Sequence, residues 1–156
     1  MSIESAPIVP LEFHVPTTLA DPRFVLEPLG PQHNERDYAA WTTSIDHLRS
    51  TPGFPWGDWP HEMTLDANRG DLEEHAADFA TRRGFTYTVL DPADGDVIGC
   101  VYIYPRRDGP GAQVRSWVRA DRADLDVPLA EGVAAWLEAG WPLEHVHYAG
   151  RPALSR

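Results

Sequence analysis

Lysine is missing from this chain: all 13 basic residues among its 156 are arginine. No lysine can therefore form a Schiff base or clamp a phosphate as a compact point charge. Cysteine is reduced to Cys100, which rules out an internal disulfide and points to a reducing, cytoplasmic setting; a bacterial source is expected. No apolar run approaches the ~20 residues of a membrane span. The opening MSIESAPIVPLEFHVP lacks the basic start and apolar core of a secretory signal. Positive charge is also scarce. The net charge is −11, which argues against a duplex partner, since phosphate backbones need a basic face. Neither nucleic acid nor membrane is expected as a partner, and a cationic small molecule is modestly favoured. There is no Gly-x-Ser-x-Gly elbow, Walker loop, cysteine pair or internal repeat.

What is present reads as one domain. Hydrophobic residues make up 42% of the chain, enough for a real core. Residues 1–22 are rich in proline and read as an extended arm with a short strand at LEFHV; residues 23–156 form the domain. RFVLEPL (23–29) suits a first strand. A helix follows from about Glu35, with Tyr38, Trp41, Ile45 and Leu48 on one face. TPGFPWGDWPHEM (51–63) holds three prolines and two glycines, so it is a loop, and it carries Phe54, Trp56 and Trp59. Thr64 suits the N-cap of a second helix running to about Arg83, with Leu65, Leu72, Ala76 and Phe79 as its apolar stripe. Gly84 fits its left-handed stop.

FTYTVLD and VIGCVYIYP form a hairpin around PADGD, and AQVRSWVRA adds a third strand. In that strand Val114, Ser116 and Val118 face one way and Gln113, Arg115, Trp117 and Arg119 the other. A third helix runs to about Ala139, with Leu125, Leu129, Val133 and Trp136 on one face. LEHVHYAG is a last short strand. The order β-α-α-β-β-β-α-β is α+β: a mixed, mainly antiparallel sheet flanked by helices, closed by a terminal β-α-β crossover.

Three stretches carry a resemblance: RFVLEPLGPQHNERDYAAW, the hairpin FTYTVLDPADGDVIGCVYIYP, and VRSWVRADRADLDVPLAEGVAAWLEAGWPLEHVHYAG. Together they resemble the GNAT superfamily of N-acetyltransferases over roughly residues 23–149. The resemblance implies acetyl-CoA as cofactor, bound in a V-shaped gap between the family's fourth and fifth strands. It implies that backbone around Trp117, Val118 and Arg119 pairs with the pantetheine arm, and that the helix start near Arg122 and Leu125 meets the pyrophosphate. It implies a small-molecule amine acceptor, shaped by the aromatic loop with Trp56 and Trp59. The family's extra C-terminal helix, whose tyrosine protonates the departing thiolate, has no counterpart here. The sheet edge it would flank is expected to be covered by the N-terminal arm or by a second subunit in a homodimer.

The junction RADRADLDVPL departs from the family pattern. Aligned on Arg119 or Arg122, it has no glycine where the family's loop requires one. Asp124 or Asp126 can cap the helix and take the N–H groups a pyrophosphate would need. Pro128 removes one donor, and the aspartates add like charge. Arg119 and Arg122 act in the opposite sense, since guanidinium pairs well with phosphate.

For the chemistry, Glu27, Glu73 and Glu74 can each serve as the base for an amine, and Tyr148 as a substitute acid. Solvated or structural roles suit the same residues. Trp56 and Trp59 suit an aromatic wall for a cation, or anchors that pin the loop. His145 and His147 alternate on the last strand, but no third ligand completes a metal site, and none is expected. Cys100 suits a small core residue. Two functions remain open: an acyl-CoA-dependent N-acyltransferase with an atypical pyrophosphate loop, and a non-catalytic binding or self-association module of the same fold that has lost acetyl-CoA.

Overall fold

The structure is a computed structural model that describes residues 7–55 and 59–156. Six strands form one sheet in sequence order: β1 (Leu19–Asp21), β2 (Phe24–Pro28), β3 (Phe85–Leu90), β4 (Val97–Pro105), β5 (Ala112–Val118) and β6 (Val146–Tyr148). Every neighbouring pair is antiparallel except β5 and β6, which are parallel. The helices are α1 (Asn34–Thr42), α2 (Ile45–Ser50), α3 (Leu65–Ala80) and α4 (Asp126–Gly140). Among the described residues no helix is long and apolar enough to cross a membrane.

The central strands are buried on both faces, as strands covered by helices on each side must be. Phe85, Tyr87 and Val89 face one core together with Leu129, Val133 and Leu137 of α4. The opposite core joins Trp41 of α1, Leu48 of α2 and Leu72 of α3 to Cys100 and Trp117 of the sheet. The alternation in AQVRSWVRA follows this division: Val114 and Val118 belong to the α4 side and Trp117 to the other.

Several local expectations change. LEFHV is not a strand. Its chain is held by the Arg82 guanidinium, which donates to Pro10 O (2.9 Å) and Phe13 O (2.8 Å), and the first strand forms later, at Leu19–Asp21. The single helix from Glu35 is two helices. At the break the Ser44 hydroxyl, instead of capping α2, accepts the Ala120 N–H at 2.9 Å. Thr64 does cap α3, accepting from Ala67 N at 3.0 Å. The left-handed residue at the end of α3 is Arg82 (φ 61°), not Gly84. Arg83 N–H reaches back to Asp78 O and Arg82 N–H to Phe79 O, the paired bonds of a Schellman stop. A non-glycine there costs about 1 kcal/mol, which the two hydrogen bonds from Arg82 to the arm offset. Gly84 is needed for space, because a Cβ there would lie 2.2–2.6 Å from the Tyr104 ring.

The β6 edge is covered by the chain's own last residues. Val146 and Arg156 exchange backbone hydrogen bonds at 3.0 and 2.8 Å, and Ser155 Oγ accepts from Tyr148 N. Among the described residues this closing segment, and not the arm, takes that place.

Candidate functional site

An open groove of about 1710 Å³ lies on the sheet face opposite α4. One wall is α3. Asn68, Asp71, Leu72, His75 and Asp78 follow each other at the spacing of one helical face and all line it. Tyr102 and Tyr104 of β4 and Gln113 and Arg115 of β5 also line the groove, with Trp59 at one end.

Asp37 of α1 is 4% exposed. Its Oδ2 accepts from Asn68 Nδ2 at 3.1 Å, while Asn68 also donates to Asn34 Oδ1 and accepts from Trp41 Nε1. Burial penalises the charged form and pushes the Asp37 carboxyl up to about 6, against the smaller opposing pull of the Asn68 bond. His75 is shifted the other way, since burial disfavours its cation. Its Nδ1 sits 2.9 Å from Tyr104 Oη and 3.0 Å from Thr86 Oγ1. Tyr104 gives its own proton to Asp78 Oδ2 at 2.9 Å, so Nδ1 is the donor in the His75–Tyr104 contact. That tautomer leaves Nε2 of neutral His75 as an acceptor. Arg115 stacks over Phe54 (4.9 Å) and Tyr102 (5.4 Å). Tyr102 also accepts from Trp117 Nε1 at 3.0 Å.

Next to the groove the sheet forks. The β5–β6 ladder ends at the Val114–Tyr148 pair. Ala149 N–H still reaches Val114 O, then Arg151 N–H turns back to Tyr148 O, and Gly150 adopts φ +74°. A Cβ on Gly150 would fall 2.7 Å from Pro52 Cβ, so glycine also lets the 52–53 turn approach. Beyond the fork, Ser116 and Val118 have no strand partner on the β6 side among the described residues. Tyr148 Oη lies 2.6 Å from Ser116 Oγ at this point, and burial keeps its phenol well above the ordinary range.

The junction after β5 is closed by its own groups. Ala120–Leu125 form a 3-10 turn that leads straight into α4. Ser44 takes the Ala120 N–H, Arg119 O the Arg122 N–H, and Ala123 O the Asp126 N–H. Neither Asp124 nor Asp126 caps the helix, contrary to expectation; Asp126 instead holds Arg151 through both oxygens at 2.9 and 2.8 Å. Arg119 bonds Asp121 through two nitrogens and Asp96 at 2.8 Å. Arg122 bonds Asp91 at 2.7 Å. The hollow beside it, about 480 Å³, has both Asp91 and Asp124 in its wall.

The remaining sequence candidates fall as follows. Trp117, Val118 and Leu125 are buried, and of these Val118 alone turns its backbone toward the fork; Trp117, like Arg119, bonds on the β4 side, contrary to expectation. Trp59 lines the groove while packing on Trp41, Phe54 and Trp117; Trp56 lies outside the described residues. Glu27 is bonded to His33 Nε2 at 2.8 Å, and Glu73 pairs with Arg69 on the exposed side of α3. Glu74 is exposed as well. His145 and His147 are exposed, and among the described residues no group of three or more His, Cys, Asp or Glu is set to hold a metal. Cys100 is buried and free. Asp37, Asn68, His75 and Arg115 were not singled out for chemistry from the sequence. The signal for the α3 pair was its second stripe, the polar positions beside the apolar one.

Solved structures share this architecture. Ribosomal-protein-S5-alanine acetyltransferase from Vibrio fischeri aligns over 83% of this chain and 71% of its own, with TM-score 0.65 and 13% identity. A Bordetella pertussis protein assigned to the GnaT acetyltransferase family aligns over 84% and 76%, with TM-score 0.56 and 18% identity. The fold is that of the GNAT acetyltransferases. The microcin C7 self-immunity acetyltransferase MccE, solved with acetyl-CoA and AMP, aligns over 80% and 66% with TM-score 0.59 and 12% identity. No family model matches the chain, and no curated protein matches it in sequence. Within the GNAT fold, the fork fits an amide-bearing arm, which would pair with the backbone of Ser116 and Val118. The junction does not fit a pyrophosphate as it stands, because Arg119 and Arg122 are paired with aspartates and the N–H groups of Ala120, Arg122 and Asp126 are already engaged.

Proposed function

We propose that this chain is an N-acyltransferase that accepts a small amine in the groove and takes its acyl donor, acetyl-CoA or a related thioester, at the fork. The observation that carries the reading is Asp37. A carboxyl with a pKa of about 6 is ionised at pH 7, yet it is basic enough to take a proton from an attacking amine. The thioester supplies an activated acyl group when bound. Asn68 holds the Asp37 carboxylate in place, and neutral His75, on the same groove-lining face of α3 as Asn68, offers Nε2 as a second acceptor. Trp59 and Leu72 give the groove an apolar stretch of wall. At the fork, Tyr148 keeps its proton at neutral pH and presents it beside Ser116, as a substitute acid would. Positioning and a held base suffice for direct transfer.

A second reading is favoured by the junction: a binding module of the same fold that no longer takes acetyl-CoA, because Arg119, Arg122 and Arg151 are tied to aspartates. One experiment decides between them. The purified chain is titrated calorimetrically with acetyl-CoA and with CoA, and thiol release is followed with a panel of amines. Micromolar binding, about −8 kcal/mol, with amine-dependent thiol release supports the transferase. No heat and no release at millimolar donor would leave the binding module.

A further inference from the structure

We propose that the groove is built for a free amino acid, with its ammonium group at Asp37 and its carboxylate at Arg115. This inference rests on the acceptor role of the groove and names the acceptor's class.

Arg115 is half-buried and lines the groove. Phe54 and Tyr102 lie under its guanidinium, and such stacking leaves the N–H donors to act in the guanidinium plane. That edge suits a planar carboxylate, met through two parallel bonds. Among the described residues Arg115 has no carboxylate partner, whereas Arg119, Arg122 and Arg151, also only partly exposed, each have one. Other arginines close structure through carbonyl oxygens, as Arg82 does with Pro10 and Phe13. Arg115 has neither kind of partner among the described residues and lines the groove.

Asp37 is its counterpart. Oδ2 is held by Asn68, and Oδ1 has no hydrogen-bond partner among the described residues. Both groups line the same groove. Trp59 lies between their supports, 5.9 Å from the Phe54 ring under Arg115 and 5.5 Å from Trp41, whose indole bonds the Asn68 that holds Asp37. No ion pair forms between Asp37 and Arg115 among the described residues. Two opposite, partly desolvated charges left unpaired across a groove make a dipolar cradle, and an ammonium and carboxylate on one small molecule complete it. Trp59 and Leu72 are placed to meet its side chain. A peptide N-terminus brings the amine without the adjacent carboxylate and leaves Arg115 unmatched.

The test measures binding with no thioester present. The purified chain is titrated with each common L-amino acid and with the matching amino-acid amide, which keeps the ammonium and loses the carboxylate. At least one amino acid should bind with a dissociation constant of about 1 mM or tighter, and its amide about tenfold more weakly. Arg115→Gln should bring acid and amide to within about twofold of each other, and Arg115→Lys should restore part of the difference. Asp37→Asn should weaken both ligands. Circular dichroism melts establish that each variant is folded. Binding of no amino acid, equal binding of acid and amide, or an unchanged ratio in Arg115→Gln overturns the proposal. Transfer to amines regardless of a carboxylate would leave the transferase standing and remove this inference. Amino-acid binding without acyl transfer would do the reverse.

Discussion

Replacing Asp37 by asparagine should stabilise this protein while removing the base we propose for it. Asp37 is buried, and the carboxyl rises from 3.8 to about 6 on folding. In the unfolded chain it ionises near its ordinary value. Between those two pH values the folded state holds a proton that the unfolded state has lost, so stability falls as pH rises through that window and is flat above it. At about 1.4 kcal/mol for each tenfold change in proton affinity, the loss is roughly 3 kcal/mol. Asparagine has the same shape, can still accept from Asn68 Nδ2 and carries no charge. Denaturant unfolding at pH 4, 5, 6, 7 and 8 should show wild type and Asp37→Asn converging at pH 4. By pH 7 they should diverge by roughly 2–3 kcal/mol in favour of the variant. Other titrating groups are common to both proteins and largely cancel in the difference. Parallel stability curves would refute the reasoning, because Asp37 would then not be held in an unfavourable ionised state. If the groove is catalytic, kcat/KM of the wild type should rise through pH ~6, and the more stable variant should be the less active one.

Two further outcomes follow from the geometry. Gly84→Ala sets a methyl group within 2.6 Å of the Tyr104 ring and should cost about 1–3 kcal/mol in denaturant unfolding; a change under about 0.5 kcal/mol would mean that the ring is free to move. Asp91→Asn weakens the hold on Arg122 and removes a negative charge from the hollow beside the junction. If a donor's phosphates use that junction, calorimetry should show CoA binding several-fold tighter in this variant, and unchanged affinity would take the junction out of the mechanism.

The elements legible in the sequence were those set by periodicity and turn chemistry. The hairpin around PADGD forms as read, with Asp91 Oδ1 accepting from Ala93 N and Gly95 at φ +74°. The strand at AQVRSWV and the Thr64 cap form as read too. What was not legible depends on partners distant in sequence. Gly84 reads as a helix stop from its neighbours alone, but its reason is Tyr104, twenty residues on. Ser44 reads as interior to a helix until Ala120 claims its hydroxyl. The groove was missed for a related reason. A stripe of Asn, Asp and His on α3 reads as a solvated face, because polar residues usually are. Only the fold reveals that the stripe looks across a groove at Tyr102, Tyr104 and Arg115. The glutamates that attract attention by type, Glu73 and Glu74, stand on the exposed side of the same helix.

The distribution of charge carries a last step of inference. Apart from the local Arg119–Asp121 pair, the ion pairs at the junction join parts of the chain that are separate in sequence. Asp91 and Asp96 of the β3–β4 hairpin hold Arg122 and Arg119, and Asp126 of α4 holds Arg151 of the closing segment. Pairs that are partly screened by solvent contribute little each to stability, but they fix geometry. Here they fix the start of α4 against the sheet without any glycine. The groove runs on the opposite principle: a carboxylate is buried at a cost, an arginine is stacked on rings, and the two are kept from meeting. A chain selected for rigidity alone would gain by joining them. Burying Asp37 without an ion pair costs stability, and in the proposed reading an ammonium and a carboxylate on one ligand would offset that cost.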